Sequence, residues 1–368
     1  MPSKTRKAAA EASFPQRRKN HLINGDFQIS ARHGTNKVIS TSVPANSDDT
    51  YCLPDRWLLL SDGNDIVDPQ LVNVTSPDNA KYSLALEVET ADKKFGVVQI
   101  ITNQNSVPII GNTVTLSFQA KVSNTTRLDD VRAAIVTWSG TTDAPTSDLV
   151  NAWNGADANF SVVTNWTLEN TPANLNVTTS WAKYSVTGAL DASGGANVAV
   201  MIWSNSVDND ADDILYISQC QLELGNVATD FEFVNRDNEG QLCLAHYYDS
   251  RNGNTSGQDM YNGTTKVVTY HAAGIMMMWG WDVGTANRYV WLTETNPTMM
   301  HKTPTLTLYD SAGTSAKITR WSSAGGSAVN GNDPYTTIAT AARFHVATWT
   351  SLGNTYGWHG MVVLEAEL

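Results

Sequence analysis

Tryptophan is the residue in this 368-residue chain whose number most invites a chemical reading, with twelve copies. An indole face offers flat apolar area on which a pyranose can stack while polar groups surround its edge. Trp57, Trp138, Trp181 and Trp203 lie in or beside strand-like runs and are expected in the core. Trp153 and Trp166 fall instead in a long polar stretch, residues 140 to 174, where an exposed ring would be free for contact. These two are the candidate glycan-binding residues. Trp279, Trp281, Trp291, Trp321 and Trp358 stand near turns, and subunit packing accounts for them as well as a sugar does.

The acids of "SVDNDADDILY", namely Asp208, Asp210, Asp212 and Asp213, could offer oxygens to calcium. The glycine and the distant bidentate glutamate of an EF-hand loop are missing, so a solvated turn is the better reading and no metal is expected. The seven histidines, His246, His301 and His359 among them, show no H-x-x-x-H or H-E-x-x-H spacing for a metal. There is no G-x-S-x-G elbow, and the glycine-rich turns do not open helices as a phosphate site requires. A carboxylate pair for glycoside cleavage leaves no mark in sequence. No catalytic constellation emerges, no cofactor is implied, and an enzyme is not expected. Cys52, Cys220 and Cys243 are odd in number and widely spaced, which fits buried thiols better than a disulfide framework.

Charge divides the chain. The formal net charge is −12, yet the first twenty residues carry Lys4, Arg6, Lys7, Arg17, Arg18 and Lys19 against Glu11 alone. The acidic remainder would be repelled by nucleic acid and anionic membrane. No stretch has the length to span a bilayer, and the first residues lack the apolar run of a signal peptide. Neither nucleic acid nor membrane insertion is expected, and synthesis in a cytoplasm is.

The composition, rich in Thr, Asn, Ser, Val and Trp, favours an all-β fold. Residues 1–20 read as a basic arm without a core of its own. Residues 21–235 carry short alternating runs such as "YSLALEV" and "TVTLSFQAKV", with others at 95–101, 131–138, 181–187, 197–203 and 214–224. Such a series predicts a jelly-roll β-sandwich, with the 140–174 stretch covering or extending one face. From Asp237 the apolar spacing becomes helical, Leu244 with Tyr248 and Cys243 with Tyr247, predicting a short linking helix over 236–250 that packs against a β-domain on each side. Residues 251–368 then read as a second β-sandwich-like domain, from "KVVTYH", "RYVWLTE", "PTLTLYD", "AKITRW", "ARFHVATW" and "GMVVLEAEL".

Three phrases in order, "HLINGDFQIS", "LPDRWLLLSDG" and "YISQCQLELGNVATDFEFVNRDNEGQLCLAHYY", resemble the signature of a family of tailed-bacteriophage virion proteins, tail-fibre and minor structural proteins among them. Downstream, "HKTPTLTLYDSAGTSAKI" and "LEAEL" are similar to that family's C-terminal unit, whereas residues 255–295 depart from it. The first unit also resembles jelly-roll carbohydrate-binding modules of families four and nine. Those modules typically hold a calcium near the first strand and an acid of the last. Here Ser218 and Gln219 stand where that acid would be, and Asp26 is one donor where calcium takes six to eight oxygens.

The resemblance implies a structural component of a virion, fibre-like and docked on another capsid or tail protein by Lys4, Arg6, Lys7, Arg17, Arg18 and Lys19. It also implies homotrimers, with Met276 to Met278 and the terminal "MVVLEAEL" strand near a threefold axis, and attachment to host-surface glycan. The alternatives are a capsid decoration protein that binds no glycan and an enzyme-associated carbohydrate-binding module.

Overall fold

The computed structural model describes residues 18–30, 49–51, 54–73, 76–77, 79–191, 194–249, 276–280, 288–296, 298–310, 314–322, 328–332, 334, 336–350 and 356–367. Lys4, Arg6, Lys7, Arg17, Cys52, Trp281 and the "KVVTYH" run therefore lie outside the described residues. Among those described, no helix is long and apolar enough to cross a membrane.

The first body is a jelly-roll sandwich of two antiparallel sheets. The six-stranded sheet runs β1 (Asp49–Tyr51), β2 (Leu58–Ser61), β5 (Phe95–Ile101), β12 (Asn197–Ser204), β7 (Val131–Trp138), β10 (Trp166–Leu168). The five-stranded sheet runs β11 (Ala182–Ala189), β6 (Thr113–Val122), β13 (Ile214–Leu224), β4 (Ser83–Val88), β3 (Val67–Val72). Between them Leu59, Phe95, Val97, Ile135, Val200 and Ile202 meet Leu84, Leu86, Leu116, Phe118, Leu215 and Leu222. The strand texts follow from this layering. Strand β11 alternates, because one face meets the core and the other water, whereas "NVAVMIWS" of β12 is buried at every position. Continuous burial requires cover on both faces.

The second cover is the 140–174 stretch. It contains the two-stranded ribbon β8 (Val150–Ala152) and β9 (Ser161–Val162) and supplies edge strand β10. Its Leu149, Val150, Phe160 and Trp166 bury the outer face of the six-stranded sheet, formed by Leu58, Leu60, Val98, Val136, Met201 and Trp203. Two buried cations tie it down. Lys94 Nζ donates to the carbonyls of Gly155 (2.9 Å) and Ala158 (3.3 Å) and to Asn205 Oδ1 (2.8 Å). Arg132 grips Asp130 through Nε and donates to Asn159 Oδ1 at 2.8 Å.

The phrases "HLINGDFQIS", "LPDRWLLLSDG" and "QLELGNVATDFE" supply joints of this architecture. Strand β13 carries a bulge between Ser218 and Gln221, with Gln219 left-handed at φ 51°. The bulge frees the backbone of Cys220. Its N–H donates to Gly25 O (2.8 Å) and its carbonyl accepts from Asn20 Nδ2 (3.0 Å). Gly25 packs so closely that a Cβ there would lie 2.1 Å from the Cys220 oxygen. Asn24 donates to the carbonyls of Ile29 (2.8 Å) and Asp55 (3.0 Å), and Phe27 meets Trp57 edge-on at 5.4 Å. In "QLELGNVATDFE", Glu223 accepts from Thr229 Oγ1 (2.6 Å) and Thr229 N (2.8 Å), and Glu232 N donates to Gln221 Oε1 (2.8 Å). The chain after β13 thus folds back over one end of the five-stranded sheet.

Besides the one-turn helix α1 (Asn103–Ser106), there is α2 (Arg236–Leu244). Asn235 caps α2 by accepting from Asp237 N at 2.8 Å. The helix is shorter than the predicted 236–250. Tyr247 and Tyr248 belong to β14 (Tyr247–Asp249), which pairs with β22 (Tyr356–Glu365). An aromatic pair favours strand, and an unpaired edge of β22 supplies the partner, so tertiary context ends the helix early. Cys243 and Tyr247 are buried, and Leu244 is half-buried.

The second body has one sheet around β22, with β14, β15 (Met276–Gly280), β17 (Thr305–Tyr309), β18 (Ile318–Ser322) and β19 (Ala328–Asn332). A three-stranded sheet, β16 (Arg288–Thr295), β21 (Arg343–Thr350) and β20 (Thr336–Ala339), lies against it. Phe344 and Val346 of β21 pack on Leu308, Val362 and Leu364. The Met276–Met278 run, placed beside a threefold axis in the sequence reading, is a strand paired with Gly360, His359 and Trp358.

Candidate functional site

With the outer face of the six-stranded sheet covered, the sugar-stacking reading of Trp166 fails. Trp166 is 4% exposed, and its ring lies 5.3 Å from that of Trp138 inside the second core. Trp153 is half-buried against the same layer, edge-on to Phe160 at 6.0 Å. Trp166, buried in protein, has no face left for a pyranose, and Trp153 gives part of its ring to Phe160 and the layer beneath; the polar text of the 140–174 stretch belongs to its outer surface and hid an apolar underside. Trp57, Trp138 and Trp203 are core as expected. Trp181, also expected in the core, is half-buried on the opposite side of the molecule.

The outer face of the five-stranded sheet carries no second layer beyond the end that the folded-back segment covers. Register places Lys121 beside Tyr216, Tyr216 beside Ala85, and Ala85 beside Gln70, while Trp181 directly precedes the Ala182–Ala120 pair. One row therefore crosses all five strands: Trp181, Lys121, Tyr216, Ala85, Gln70. The Lys121 ammonium stands 4.6 Å from the Tyr216 ring centroid and 5.6 Å from that of Trp181, and the two rings meet edge-on at 6.3 Å. Cation–π contact of this kind contributes about 0.5–1 kcal/mol at a partly exposed site. It helps to hold both half-buried rings in place. Ala85, small and buried in the middle of the row, keeps the surface low between Tyr216 and Gln70.

The row is bordered by hydrogen-bonding groups. Gln70 Nε2 donates to Glu87, whose carboxyl is pushed up by burial and by the charges of Asp212 and Asp68. Burial, then Glu87, pushes the Tyr216 hydroxyl up, so the phenol remains a donor at neutral pH. Toward the folded-back segment, Ser117, Gln119, Lys183, Asp230, Phe231 and Phe233 line a cavity of about 330 Å³. Aromatic faces flanked by amide, carboxyl and ammonium groups can stack on a sugar ring and hydrogen-bond its hydroxyls.

Several of the other predicted residues that are described make contacts within the chain. Arg18 Nη2 donates to Glu239 of α2 at 2.8 Å, and Lys19 Nζ lies 3.9 Å from Glu223 and donates to Asp230 O at 2.7 Å. These two cations fasten the start of the jelly roll rather than extend from it. Asp208, Asp210 and Asp212 are exposed; Asp210 pairs with Arg127 at 3.1 Å, and its N–H donates to Asp213 at 2.9 Å. The turn is bonded within itself and to Arg127. Asp26 accepts from Gln28, and burial pushes its carboxyl up. Burial also pushes the thiols of Cys220 and Cys243 well up.

The Trp181 row escaped sequence reasoning, although a signal was present. In "WAKYSVT", Tyr184 and Val186 pack against the core, so the alternation of a strand puts Trp181 with Lys183, Ser185 and Thr187 on the polar side.

No family model matches the chain, and no curated protein matches it. Solved structures give distant likenesses. Bacteriophage CBA120 tailspike protein 4, enzymatically active domain, is 18% identical over 56% of this chain, with a TM-score of 0.31; the match spans 21% of the tailspike's own length. The xylan-binding domain CBM22-1 from Paenibacillus barcinonensis is 11% identical, covered over its whole length by 51% of this chain, with a TM-score of 0.27. TmCBM61, solved with beta-1,4-galactotriose, is 12% identical, covered whole by 56% of this chain, with a TM-score of 0.29. The sandwich itself rests on the strand pairing described above.

Proposed function

We propose that this chain is a structural subunit of a tailed-bacteriophage particle, a fibre-like appendage whose jelly roll binds host-surface glycan on the outer face of the five-stranded sheet. The observation that carries the glycan reading is the row Trp181, Lys121, Tyr216, Gln70, with two half-buried rings on the part of that face which the folded-back segment leaves open. The virion reading draws its support from the ordered phrases of the sequence, two of which brace the jelly roll while Arg56 of "LPDRWLLLSDG" meets Glu367 of "LEAEL" in the second body. With Arg18 and Lys19 engaged internally, docking on a capsid or tail protein falls to Lys4, Arg6, Lys7 and Arg17. A shallow site of this kind gains from many copies, and homotrimers would supply them.

Two measurements test the reading. Purified protein is applied to an array of bacterial surface polysaccharides beside Trp181→Ala and Tyr216→Ala. Binding that falls at least about tenfold in both variants, roughly 1.4 kcal/mol, supports the site. Binding unchanged in both overturns it, and no binding by the native chain leaves capsid decoration as the function. Deleting residues 1–17 should remove the protein from particles; unchanged copy number refutes docking by the arm.

A further inference from the structure

We propose that Asp65, Asp68 and Glu89 form a site for a hard divalent cation, calcium foremost, at the edge of the five-stranded sheet. Asp65 sits left-handed (φ 59°) in the turn before β3, Asp68 is on β3, and Glu89 directly follows β4. One carboxylate oxygen from each lies within 4.8 Å of the other two. The backbone that carries them is already fastened. Glu89 N and Thr90 N donate to Ile66 O at 2.9 and 3.2 Å, and Thr90 Oγ1 donates to Asp65 O at 2.9 Å.

Convergent surface acids alone are common; the second observation is Asp68. It is 6% exposed, and its Oδ1 is buried without a hydrogen-bond partner. None of the ion pairs among the described residues includes any of the three acids, and Lys93 pairs with Asp62 instead, at 3.7 Å. Asp68 thus keeps one buried carboxylate oxygen without a partner beside two further carboxylates, and its charge, then burial, then Asp65, pushes the Glu89 carboxyl up, so the trio is costly through both desolvation and repulsion. A cation between them removes both costs. Calcium takes oxygens at about 2.3–2.6 Å, so oxygens on opposite sides of one ion stand up to about 5 Å apart, and this trio fits one coordination sphere. Magnesium, at about 2.0–2.1 Å, would require the set to contract.

Three carboxylates are a modest donor set, so the affinity belongs on the order of 10⁻⁴–10⁻³ M. The site lies beside the candidate glycan face, because Asp68 is the register partner of Glu87. It is distinct from the 208–213 turn, whose Asp212 N–H reaches Val88 O at 3.0 Å while its carboxylate stays outside the trio.

The test is calorimetric titration of the chelator-treated full chain with calcium chloride, paired with thermal unfolding. Saturating calcium should raise the melting temperature by roughly 5 °C, reversibly on chelation. Glu89→Gln, at an exposed position that leaves the fold intact, and Asp68→Asn should each abolish the rise and weaken binding at least about tenfold. Asp210→Asn should retain both. The proposal is overturned by no heat and no shift in the native chain, by an equal shift in sodium chloride of matched ionic strength, or by a shift that survives in Glu89→Gln.

Discussion

The Arg56 guanidinium donates to the Glu367 carboxylate across 311 residues of chain, and both side chains are buried. This contact joins the "DRW" phrase of the jelly roll to the terminal "LEAEL" of the second body. Arg56 also donates to Ile100 O at 2.8 Å, and His246 Nδ1 lies 3.8 Å from Glu367. The His246 ring stands 5.1 Å from that of His301, whose Nε2 is 3.4 Å from Asp143. Asp143 in turn accepts from Asn103 N and Asn197 Nδ2, each at 2.7 Å. A chain of buried polar side chains in close approach therefore runs from the first body through the second and back.

Breaking this pair should cost far more than a surface ion pair would. Arg56→Ala or Glu367→Ala leaves the partner charged and buried, a loss of about 3–5 kcal/mol. Replacing both, as Arg56→Met with Glu367→Leu, should recover most of that loss because no unpaired charge remains. Urea unfolding of the three variants checks this, and a single variant within about 1 kcal/mol of the native chain would sink it.

The same junction should weaken in acid. Burial, then the Arg56 charge, pushes the His246 imidazole well below its ordinary value. Burial pushes His301 down as well, with Asp143 and Glu367 opposing and Arg56 and Lys302 adding. Each folded pKa lies below the unfolded one, so the unfolded chain binds more protons in acid. The stabilisation is fully present above about pH 6.5 and is lost as pH falls from there toward the depressed folded values. Melting temperatures taken from pH 8 to pH 5 should fall, and His246→Gln should flatten the slope. Parallel curves for the native chain and the variant would contradict the assignment.

Where periodicity was unambiguous, the strands were legible. Strands β5, β6, β7 and β13 fall on the runs predicted from alternation and apolar content. The short edge strands β1, β8, β9 and β10 were not, since two or three residues carry no period. The site was less legible for a specific reason. Polar content predicts exposure at Trp153 and Trp166, yet a polar stretch can present an apolar underside to a sheet whose own outer face is apolar. The His246–His301 pair and the Asp65–Asp68–Glu89 trio left no trace because distant segments bring their members together.

Gly25 offers a test of the N-terminal joint. A methyl group there would meet the Cys220 carbonyl at 2.1 Å, and that carbonyl is held by Asn20 and by the bulge of β13. Backbone cannot yield as a side chain tip does, so Gly25→Ala should destabilise the jelly roll by about 3 kcal/mol, the upper end for overpacking. Denaturant unfolding reads this directly. A change within about 0.5 kcal/mol would mean that residues 20–25 do not sit against the bulge.

Trp166 and Trp181 should part company when each is replaced. Trp166→Ala empties part of the second core beside Trp138 and should cost about 3–5 kcal/mol, while glycan binding per folded molecule stays as it was. Trp181→Ala removes a half-buried ring from an open face, so stability should change by less than about 1 kcal/mol. Its cost should appear in binding. Measuring unfolding and polysaccharide binding on both variants separates a tryptophan that builds the fold from one that serves the surface. The reverse pattern, a stable Trp166→Ala that no longer binds, would return the site to the 140–174 stretch.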